Sequence, residues 1–160
     1  MIIAIPQLNY KAGDIQGNSE KIISAIQKAQ NQKAELILFP ELAVSGALPQ
    51  DLLEREEFVN ACRMAVEKIA ATCTQIAAIV GAPNLDSENG IMYNSAYFIQ
   101  HGEVVDGVHK NILSDYDIFS ESRYFIAGED NTPIKIYGFY STNTNRNTST
   151  KQIALSSLSV

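Results

Sequence analysis

A glutamate stands directly after a short apolar run. Residues 36–39 read Leu-Ile-Leu-Phe, which predicts a strand buried on both faces, and Pro40 ends that run ahead of Glu41. In α/β sheets, ligands gather at the carboxyl ends of the strands. A carboxylate held there among apolar side chains would suit the work of a general base. A glutamate on a solvated loop would occupy the same place in the sequence, so position alone leaves both interpretations open.

A lysine and an aromatic block follow a predicted hairpin. Lys110 ends the hairpin, and its ammonium group could stabilise an oxyanion or extend into water. The block from Tyr116 to Phe125 mixes aromatic rings with opposite charges. It could form a small-ligand pocket in which Glu121 orients other groups, or a loop packed on itself with Glu121 and Arg123 on the surface.

The cysteines and histidines offer no catalytic arrangement of their own. Cys62 and Cys73 fall on the apolar stripe of a predicted helix, where a thiol behaves as a small hydrophobe and lacks the electropositive surroundings of a reactive thiolate. Their spacing fits neither a disulfide framework nor a metal site, so we expect no metal. His101 and His109 have no recognisable serine or cysteine partner, which predicts surface roles.

Alternating strands and helices predict an α/β fold. Strands are expected at 2–8, where Pro6 is awkward, at 36–39 and at 76–80, with a hairpin from 93–99 and 104–108 and a further strand starting at 134. A first helix should start near Asn18, a good N-cap residue, and a second should run from about 51 to 72. Twelve of the last 22 residues are Ser, Thr or Asn. This predicts a domain at 1–138 followed by a disordered polar tail at 139–160.

Composition narrows the class of protein. The 160 residues are enough for one domain with a core, and a formal net charge of -6 argues against a nucleic-acid partner. No apolar run approaches the roughly 20 residues that span a bilayer, so no membrane association is expected. The short apolar start lacks the basic residues of a signal peptide, which leaves the cytoplasm as the expected location.

Together these segments resemble the nitrilase superfamily of carbon–nitrogen hydrolases, and within it the glutaminase domains of glutamine-dependent NAD synthetases. The resemblance runs nearly continuously from residue 2 to about 138. The matching segments are Gln7-Leu8-Asn9, Gly13-Asp14-Ile15, Gly17-Asn18, Leu38-Phe39-Pro40-Glu41-Leu42, Ser45-Gly46, Pro49-Gln50-Asp51-Leu52-Leu53, Val80-Gly81-Ala82-Pro83, Tyr93-Asn94-Ser95-Ala96, Lys110, Tyr116, Phe119, Glu121 and Arg123-Tyr124-Phe125.

The resemblance implies a fold and a site. The fold would be the first half or more of a four-layer αββα sandwich, with two central sheets flanked by the helices near 18–31 and 51–73. Glu41 would be the general base, Lys110 the oxyanion-stabilising group, Glu121 a supporting glutamate, and Tyr116 and Phe119 substrate-binding residues. The substrate would be L-glutamine, attacked by a cysteine thiolate to release ammonia.

The resemblance also implies partners. No cofactor would bind to this domain, because ATP and magnesium belong to a separate synthetase domain that receives the ammonia. The resemblance further implies that the chain associates with that domain or forms a homo-oligomer, as members of the family do.

The departures from the family pattern are as informative as the matches. The family carries its cysteine shortly after a segment like Pro133–Gly138, and the corresponding stretch here has no cysteine. This predicts that the 160-residue chain does not hydrolyse glutamine by itself. Ala47-Leu48 stands where Tyr-Pro is usual, Ser114-Asp115 where Pro-Asn is usual, and Asp117 where Gly is usual. Two alternatives stay open: an amidase acting on another small amide, and a non-catalytic interaction protein that uses a free sheet edge.

Overall fold

The computed structural model describes residues 1–129 in full, together with the backbone of two short strands, 134–136 and 151–153. The described part contains a five-stranded mixed sheet, two α-helices and a separate two-stranded sheet. The elements in chain order are β1 (Ile3–Ala4), α1 (Ile15–Asn31), β2 (Leu36–Leu38), α2 (Glu56–Ala70), β3 (Ala77–Asp86), β4 (Ile91–Gln100), β5 (Glu103–His109), β6 (Ile134–Ile136) and β7 (Lys151–Ile153).

Strand order in the main sheet follows chain order. β1, β2 and β3 are parallel, whereas β3, β4 and β5 form an antiparallel meander. The predicted hairpin of β4 and β5 is confirmed, with His101 and Gly102 in left-handed conformations at its turn. The ladder shifts by one residue between Phe98 and Ile99. This bulge decides which side chains of β4 and β5 face each other.

Both helices pack on the same face of the sheet. Side chains of α1 such as Ile22 and Ile26 join side chains of α2 such as Val66 and Ile69 in one buried cluster. On the sheet, alternate residues take part in that cluster, because successive side chains of a strand point to opposite faces. The described residues therefore provide one central sheet with its helical layer, which confirms the predicted α/β fold and agrees with a partial sandwich in which both helices flank this one sheet.

The opposite face of the sheet carries its own apolar cluster. Leu36, Ala77, Ile79 and Phe98 are almost completely buried there, and no residue of α1 or α2 belongs to this group. A sheet with two apolar faces is typical of the inner sheets of layered α/β folds.

Helix α1 begins three residues earlier than the sequence predicts. Asp14, not Asn18, caps it, accepting a hydrogen bond from the backbone N–H of Gly17 at 3.1 Å. Asn18 lies inside the helix with no exposed surface, and its side chain bonds the backbone of Lys11 and of Val44. Both residue types suit a cap, and Asn18 instead joins α1 to the loop that precedes it and to the loop that follows β2.

The second predicted helix is divided into two pieces. Residues Gln50–Glu54 form a short 3₁₀ helix, and α2 starts at Glu56 because Arg55 is extended with φ of -97° and ψ of 113°. Strand β3, in contrast, runs beyond its expected end at Val80 and passes through Pro83 to Asp86. It pairs with β2 only as far as Ile79, so Pro83 lies where one side of the strand has no ladder and a missing N–H is tolerated.

Two further expectations concern the end of the chain. The strand predicted from residue 134 is confirmed as β6, which pairs with β7. Residues 151–153 of the predicted tail are thus in a strand, and the other residues of 139–160 lie outside the described part, so the predicted domain boundary and tail remain predictions. Within the described residues no helix is long and apolar enough to cross a membrane.

Candidate active site

The turn that carries Glu41 is pressed against strand β3. Gly81 makes this possible, because a Cβ there would lie 2.5 Å from the carbonyl oxygen of Pro40 and 2.6 Å from the amide nitrogen of Leu42. The turn also holds Leu42 in the left-handed region, with φ of 50°. A bulky residue in that region is strained, and such strain is found at functional sites where the surroundings enforce it. Leu42 is held there by burial against Leu53 and Phe125.

Four side chains close a hydrogen-bonded ring at this point, which we call the lysine ring: Glu41, Asn94, Lys110 and Glu121. Lys110 Nζ donates to Glu41 Oε1 and to Glu121 Oε2, each at 2.8 Å. Asn94 Nδ2 donates to the same two carboxylates, at 3.1 Å to Glu121 Oε1. One ammonium and one amide thus fix two carboxylates that would otherwise repel each other.

Four parts of the chain supply the ring members, and Glu41 comes from the turn after β2. Asn94 lies on β4 and is 3% exposed, and its carbonyl accepts the backbone N–H of Lys110 just beyond β5. Glu121 begins a short 3₁₀ turn, and the chain after it returns so that the N–H of Gly128 bonds the carbonyl of Lys110 at 2.9 Å. The lysine is therefore held at its backbone on both sides.

Glu121 is the most enclosed of the three charged members of the lysine ring. Its side chain is 11% exposed, against 19% for Lys110 and 29% for Glu41. Besides the ring contacts, Glu121 Oε2 accepts the backbone N–H of Ser114 at 2.6 Å. The Glu121 carboxylate is the acceptor in each of these hydrogen bonds, which is typical of a carboxylate that stays ionised and positions other groups.

The electrostatics keep the lysine charged. Desolvation alone would lower the pKa of Lys110, but its hydrogen bonds and attraction to Glu121 and Glu41 outweigh that effect and raise the pKa above its ordinary value. Burial would raise the pKa of Glu121, and the hydrogen bonds from Lys110 and Ser114 reverse this and lower it. At neutral pH the ring holds an ammonium, which can stabilise developing negative charge and cannot act as a base.

Glu41 differs from Glu121 in having an oxygen available. Among the described residues, both hydrogen bonds to Glu41 end on Oε1. Oε2 can therefore take a proton from a group brought against it, while Oε1 stays fixed by Lys110 and Asn94. A carboxylate oriented in this way next to an ammonium meets the geometric needs of a general base and an oxyanion stabiliser in one site.

Neither cysteine belongs to this site. Cys62 and Cys73 have no exposed surface and belong to the core between the helices and the sheet. Burial raises the pKa of the Cys62 thiol to about 12 and that of the Cys73 thiol to about 11. Both thiols are therefore protonated at neutral pH, as the sequence predicts for core residues.

The proposed substrate-binding aromatics lie on the loop between Lys110 and Glu121. Tyr116 is 65% exposed and Phe119 is partly buried, and their ring centroids are 5.3 Å apart. The structure thus brings together Glu41, Lys110 and Glu121, and it pairs Tyr116 with Phe119 on the adjoining loop. Asp117 of that loop has φ of 55°, a conformation that favours glycine, which the resemblance leads us to expect at this position. The roles of the five predicted site residues remain predictions.

Two contributions were missed from the sequence. No role is predicted for Asn94, although an Asn-Ser pair in an otherwise apolar strand is a signal of buried hydrogen bonding. The prediction that His109 has no serine partner is wrong: Ser95 Oγ and His109 Nδ1 are 2.8 Å apart, and Tyr93 stacks on the imidazole at 4.1 Å. These contacts hold the residue that directly precedes Lys110.

Comparison with known proteins identifies the family to which this fold belongs. The carbon–nitrogen hydrolase family matches residues 2–143. The chain therefore belongs to the carbon–nitrogen hydrolase family.

Within that family, the most informative relatives are NAD synthetases. A glutamine-dependent NAD(+) synthetase of Xylella fastidiosa is 40% identical over 124 residues, covering 77% of this chain and 22% of that protein. The structure of glutamine-dependent NAD+ synthetase from Acinetobacter baumannii, solved with ADP, superposes with a TM-score of 0.75 at 32% identity over 86% of this chain and 25% of that one. The chain thus spans about a quarter of the length of these relatives.

A shorter enzyme is similar as well. An amidase of the nitrilase superfamily from Nesterenkonia superposes with a TM-score of 0.69 at 28% identity, over 84% of this chain and 51% of that one. About half of that amidase therefore has no counterpart among these 160 residues.

Proposed function

We propose that this chain carries the base and oxyanion-stabilising half of a site that hydrolyses the side-chain amide of L-glutamine and supplies ammonia for NAD synthesis. The observation that carries the proposal is the lysine ring, in which Lys110 Nζ lies 2.8 Å from both Glu41 and Glu121. The similarity to glutamine-dependent NAD synthetases over most of the chain supports the choice of substrate.

Each ring member has a separate task in this proposal. Oε2 of Glu41 takes the proton of an attacking thiol and later returns it to the leaving ammonia. Lys110 stabilises the oxyanion that forms when the amide carbonyl is attacked. Glu121 and Asn94 touch neither reacting atom and act as positioning residues for Lys110 and Glu41.

The nucleophile has to come from outside the described site. The two thiols of the chain are in the core with raised pKa values, so neither can reach Glu41 without unfolding the sheet–helix interface. We therefore propose that the 160-residue polypeptide alone does not turn over glutamine, and that a cysteine positioned against Glu41 Oε2 and Lys110 Nζ would complete the site.

Partners and ligands follow from the same proposal. Tyr116 and Phe119 would contact the aliphatic part of glutamine from the loop that connects Lys110 to Glu121. A synthetase domain would receive the ammonia and bind ATP and magnesium, so that the hydrolytic half needs no cofactor. A homo-oligomer and a cytoplasmic location remain predictions.

A chimera tests the proposal. Residues 1–138 would be joined to the segment that follows the matched stretch in the Xylella fastidiosa synthetase, and ammonia release from glutamine measured with a glutamate dehydrogenase assay. We expect turnover in the chimera and none in the 160-residue chain. Glu41→Gln and Lys110→Met should each lower kcat on the order of 10³-fold or more, because each removes a member of one catalytic unit.

Glu54→Gln is the matched control, since it removes a glutamate that lies on the exposed surface and contacts Arg123. The chimera carrying it should keep its activity. Glutamine turnover by the 160-residue chain, or an E41Q chimera as fast as its parent, would show the assignment of roles to be wrong.

The Nesterenkonia amidase supports a second candidate, cleavage of another small amide. The same chimera separates the two candidates when propionamide and asparagine replace glutamine. A kcat/KM for propionamide above that for glutamine would favour a general amidase, because a site built for glutamine needs partners for its charged α-amino and α-carboxyl groups.

A further inference from the structure

Strand β5 contains one residue more than regular pairing with β4 requires. Next to the turn Ile99 pairs with Val104, but one step further Phe98 pairs with Asp106. Among the described residues Val105 therefore has no partner on β4, and it is 55% exposed. This is a β-bulge, in which two residues of one strand oppose one residue of the other. The same turn would also allow regular pairing without a bulge, which we call the slipped register.

The bulge decides on which face of the sheet the side chain of Lys110 lies. Residues directly opposite each other on neighbouring strands point to the same face. The backbone N–H of Lys110 bonds the carbonyl of Asn94 at 2.8 Å, and both side chains reach the lysine ring. In the slipped register Lys110 would lie opposite Tyr93, whose side chain is on the other face. The ring would then lose its cation.

The contacts of Ser95 and His109 are specific to the bulged register. The two residues are direct partners across the strands, Ser95 is 2% exposed, and its Oγ lies 2.8 Å from His109 Nδ1. Tyr93 stacks on the imidazole with 10° between the ring planes. The slipped register would place Val108 opposite Ser95. Because a valine side chain has no polar group, the buried hydroxyl would lose the imidazole as its partner, and Tyr93 would lose its stack.

We infer that the hydrogen-bonded pair of Ser95 and His109 selects the bulged register and thereby directs the Lys110 ammonium into the lysine ring. Both are positioning residues, because they act on Lys110 through the pairing of the strands. The pair belongs to the hairpin alone, whereas the ring also needs Glu41 and Glu121 from other parts of the chain. The position of Lys110 does not depend on the glutamine proposal; only its role in turnover rests on that proposal.

NMR of the 160-residue chain provides two readouts. Relaxation-dispersion and saturation-transfer experiments detect a minor conformation in exchange with the main one. A slipped register would shift the signals of residues 106–110 and leave those of 103 and 104, beside the turn, nearly unchanged. Hydrogen exchange of the Lys110 amide is the second readout, because this N–H loses its acceptor on slipping. The amides of α1 and α2 report that the core is folded.

Two substitutions remove the preference for the bulged register. Ser95→Ala removes the hydroxyl, and His109→Val makes residues 108 and 109 alike, so that the pair no longer distinguishes the two registers. We expect each to speed hydrogen exchange of the Lys110 amide about fivefold, as the loss of one hydrogen bond predicts, and to increase the slipped set of signals. The double variant should exchange little faster than His109→Val, because both changes remove the same bond.

Deletion of Val105 is the matched control. It removes the extra residue of the bulge, so that regular pairing itself places Ser95 opposite His109 and the slipped register no longer competes. Adding Ser95→Ala to this deletion should therefore produce no slipped set of signals, and the Lys110 amide should exchange nearly as slowly as in the deletion alone. If Ser95→Ala loosened the hairpin equally in both backgrounds, the pair would stabilise the strands without selecting their register, and the inference would be wrong.

Two further outcomes bear on the inference. If His109→Val gave neither a slipped set of signals nor faster exchange of the Lys110 amide, the pair would not set the register. In the chimera with the Xylella fastidiosa segment, kcat/KM for glutamine should fall in proportion to the slipped fraction measured by NMR, because slipped molecules lack the ring. A slipped register seen in a chimera whose parent releases no ammonia would refute the glutamine proposal alone.

Discussion

Two clusters of charge lie on either side of one short turn, and they differ in how much solvent surrounds them. Glu121 at the start of the turn belongs to the lysine ring, where the charged side chains are 11–29% exposed. Arg123, two residues later, pairs with Asp51 at 3.3 Å and Glu54 at 3.1 Å, and these side chains are 57–74% exposed. We call this second group the arginine cluster.

The distances in the two clusters are similar, and the expected energies are not. In the lysine ring the carboxylate oxygens that face Lys110 and Asn94 have exchanged water for fixed donors, so removing one donor leaves a charge that water solvates poorly. In the arginine cluster water competes for every contact and salt screens the charges. The comparison teaches that similar ion pairs on the two sides of this turn have different consequences. Those of the lysine ring fix the positions of the site residues, whereas those of the arginine cluster lie in solvent and fix little.

Lys110→Met should have the largest effect. It leaves Glu41 and Glu121 facing each other without a cation, and we expect the free energy of unfolding at pH 7 to fall by about 3 kcal/mol. Urea denaturation of the 160-residue chain measures it. The loss should shrink as the pH falls, because carboxyl groups that have taken up a proton no longer repel each other. A variant as stable as the parent at pH 7 would mean that the lysine ring is not formed in solution.

Glu121→Gln should come next and change how stability depends on pH. The pKa of Glu121 is lowered below its ordinary 4.5 in the folded state. The ionised group therefore stabilises the fold above about pH 4.5, and that contribution is lost as the pH falls through the lowered pKa. We expect the free energy of unfolding to fall by about 2 kcal/mol at pH 7 and to depend less steeply on pH between 7 and 3 than in the parent. If the pH dependence did not change, other carboxylates would be responsible for the loss of stability in acid.

Ser114→Pro tests the backbone contact between Ser114 and Glu121. The N–H of Ser114 donates to Glu121 Oε2 at 2.6 Å, and proline has no N–H. We expect a loss of about 1.5 kcal/mol, typical of a hydrogen bond to a charged group. Ser114→Ala keeps the N–H and should lie within about 0.5 kcal/mol of the parent. Equal losses in both variants would point to the hydroxyl instead.

Part of the site could be predicted because it depends on local sequence. Glu41 and Lys110 each stand at the end of a recognisable strand, and strand ends of one sheet meet at a common edge. The hairpin was equally readable from its alternation and its turn. Burial of Cys62 and Cys73 followed from helical periodicity alone.

The rest depended on register, which the sequence did not reveal. Counting back from the turn at Gln100 and Glu103 without a bulge would set Ser95 opposite Val108. The shift between Phe98 and Ile99 sets it opposite His109 instead. One inserted residue changes every later pair on the hairpin, and with it the partners of His109. The capping of α1 by Asp14 instead of Asn18 was similarly decided by a tertiary contact, the bond of Asn18 to Val44.

Arg123→Ala should have the smallest effect and so completes the comparison. Its contacts to Asp51 and Glu54 lie in solvent, and the stack of its guanidinium over Tyr124, 5.1 Å from the ring centroid, is at the surface as well. We expect no change in urea denaturation beyond measurement error, at either 0.05 M or 0.5 M salt, because water and ions replace these contacts. A loss of stability as large as that of Lys110→Met would show that the arginine cluster holds the turn in place. Both the arginine cluster and the lysine ring would then position Glu121.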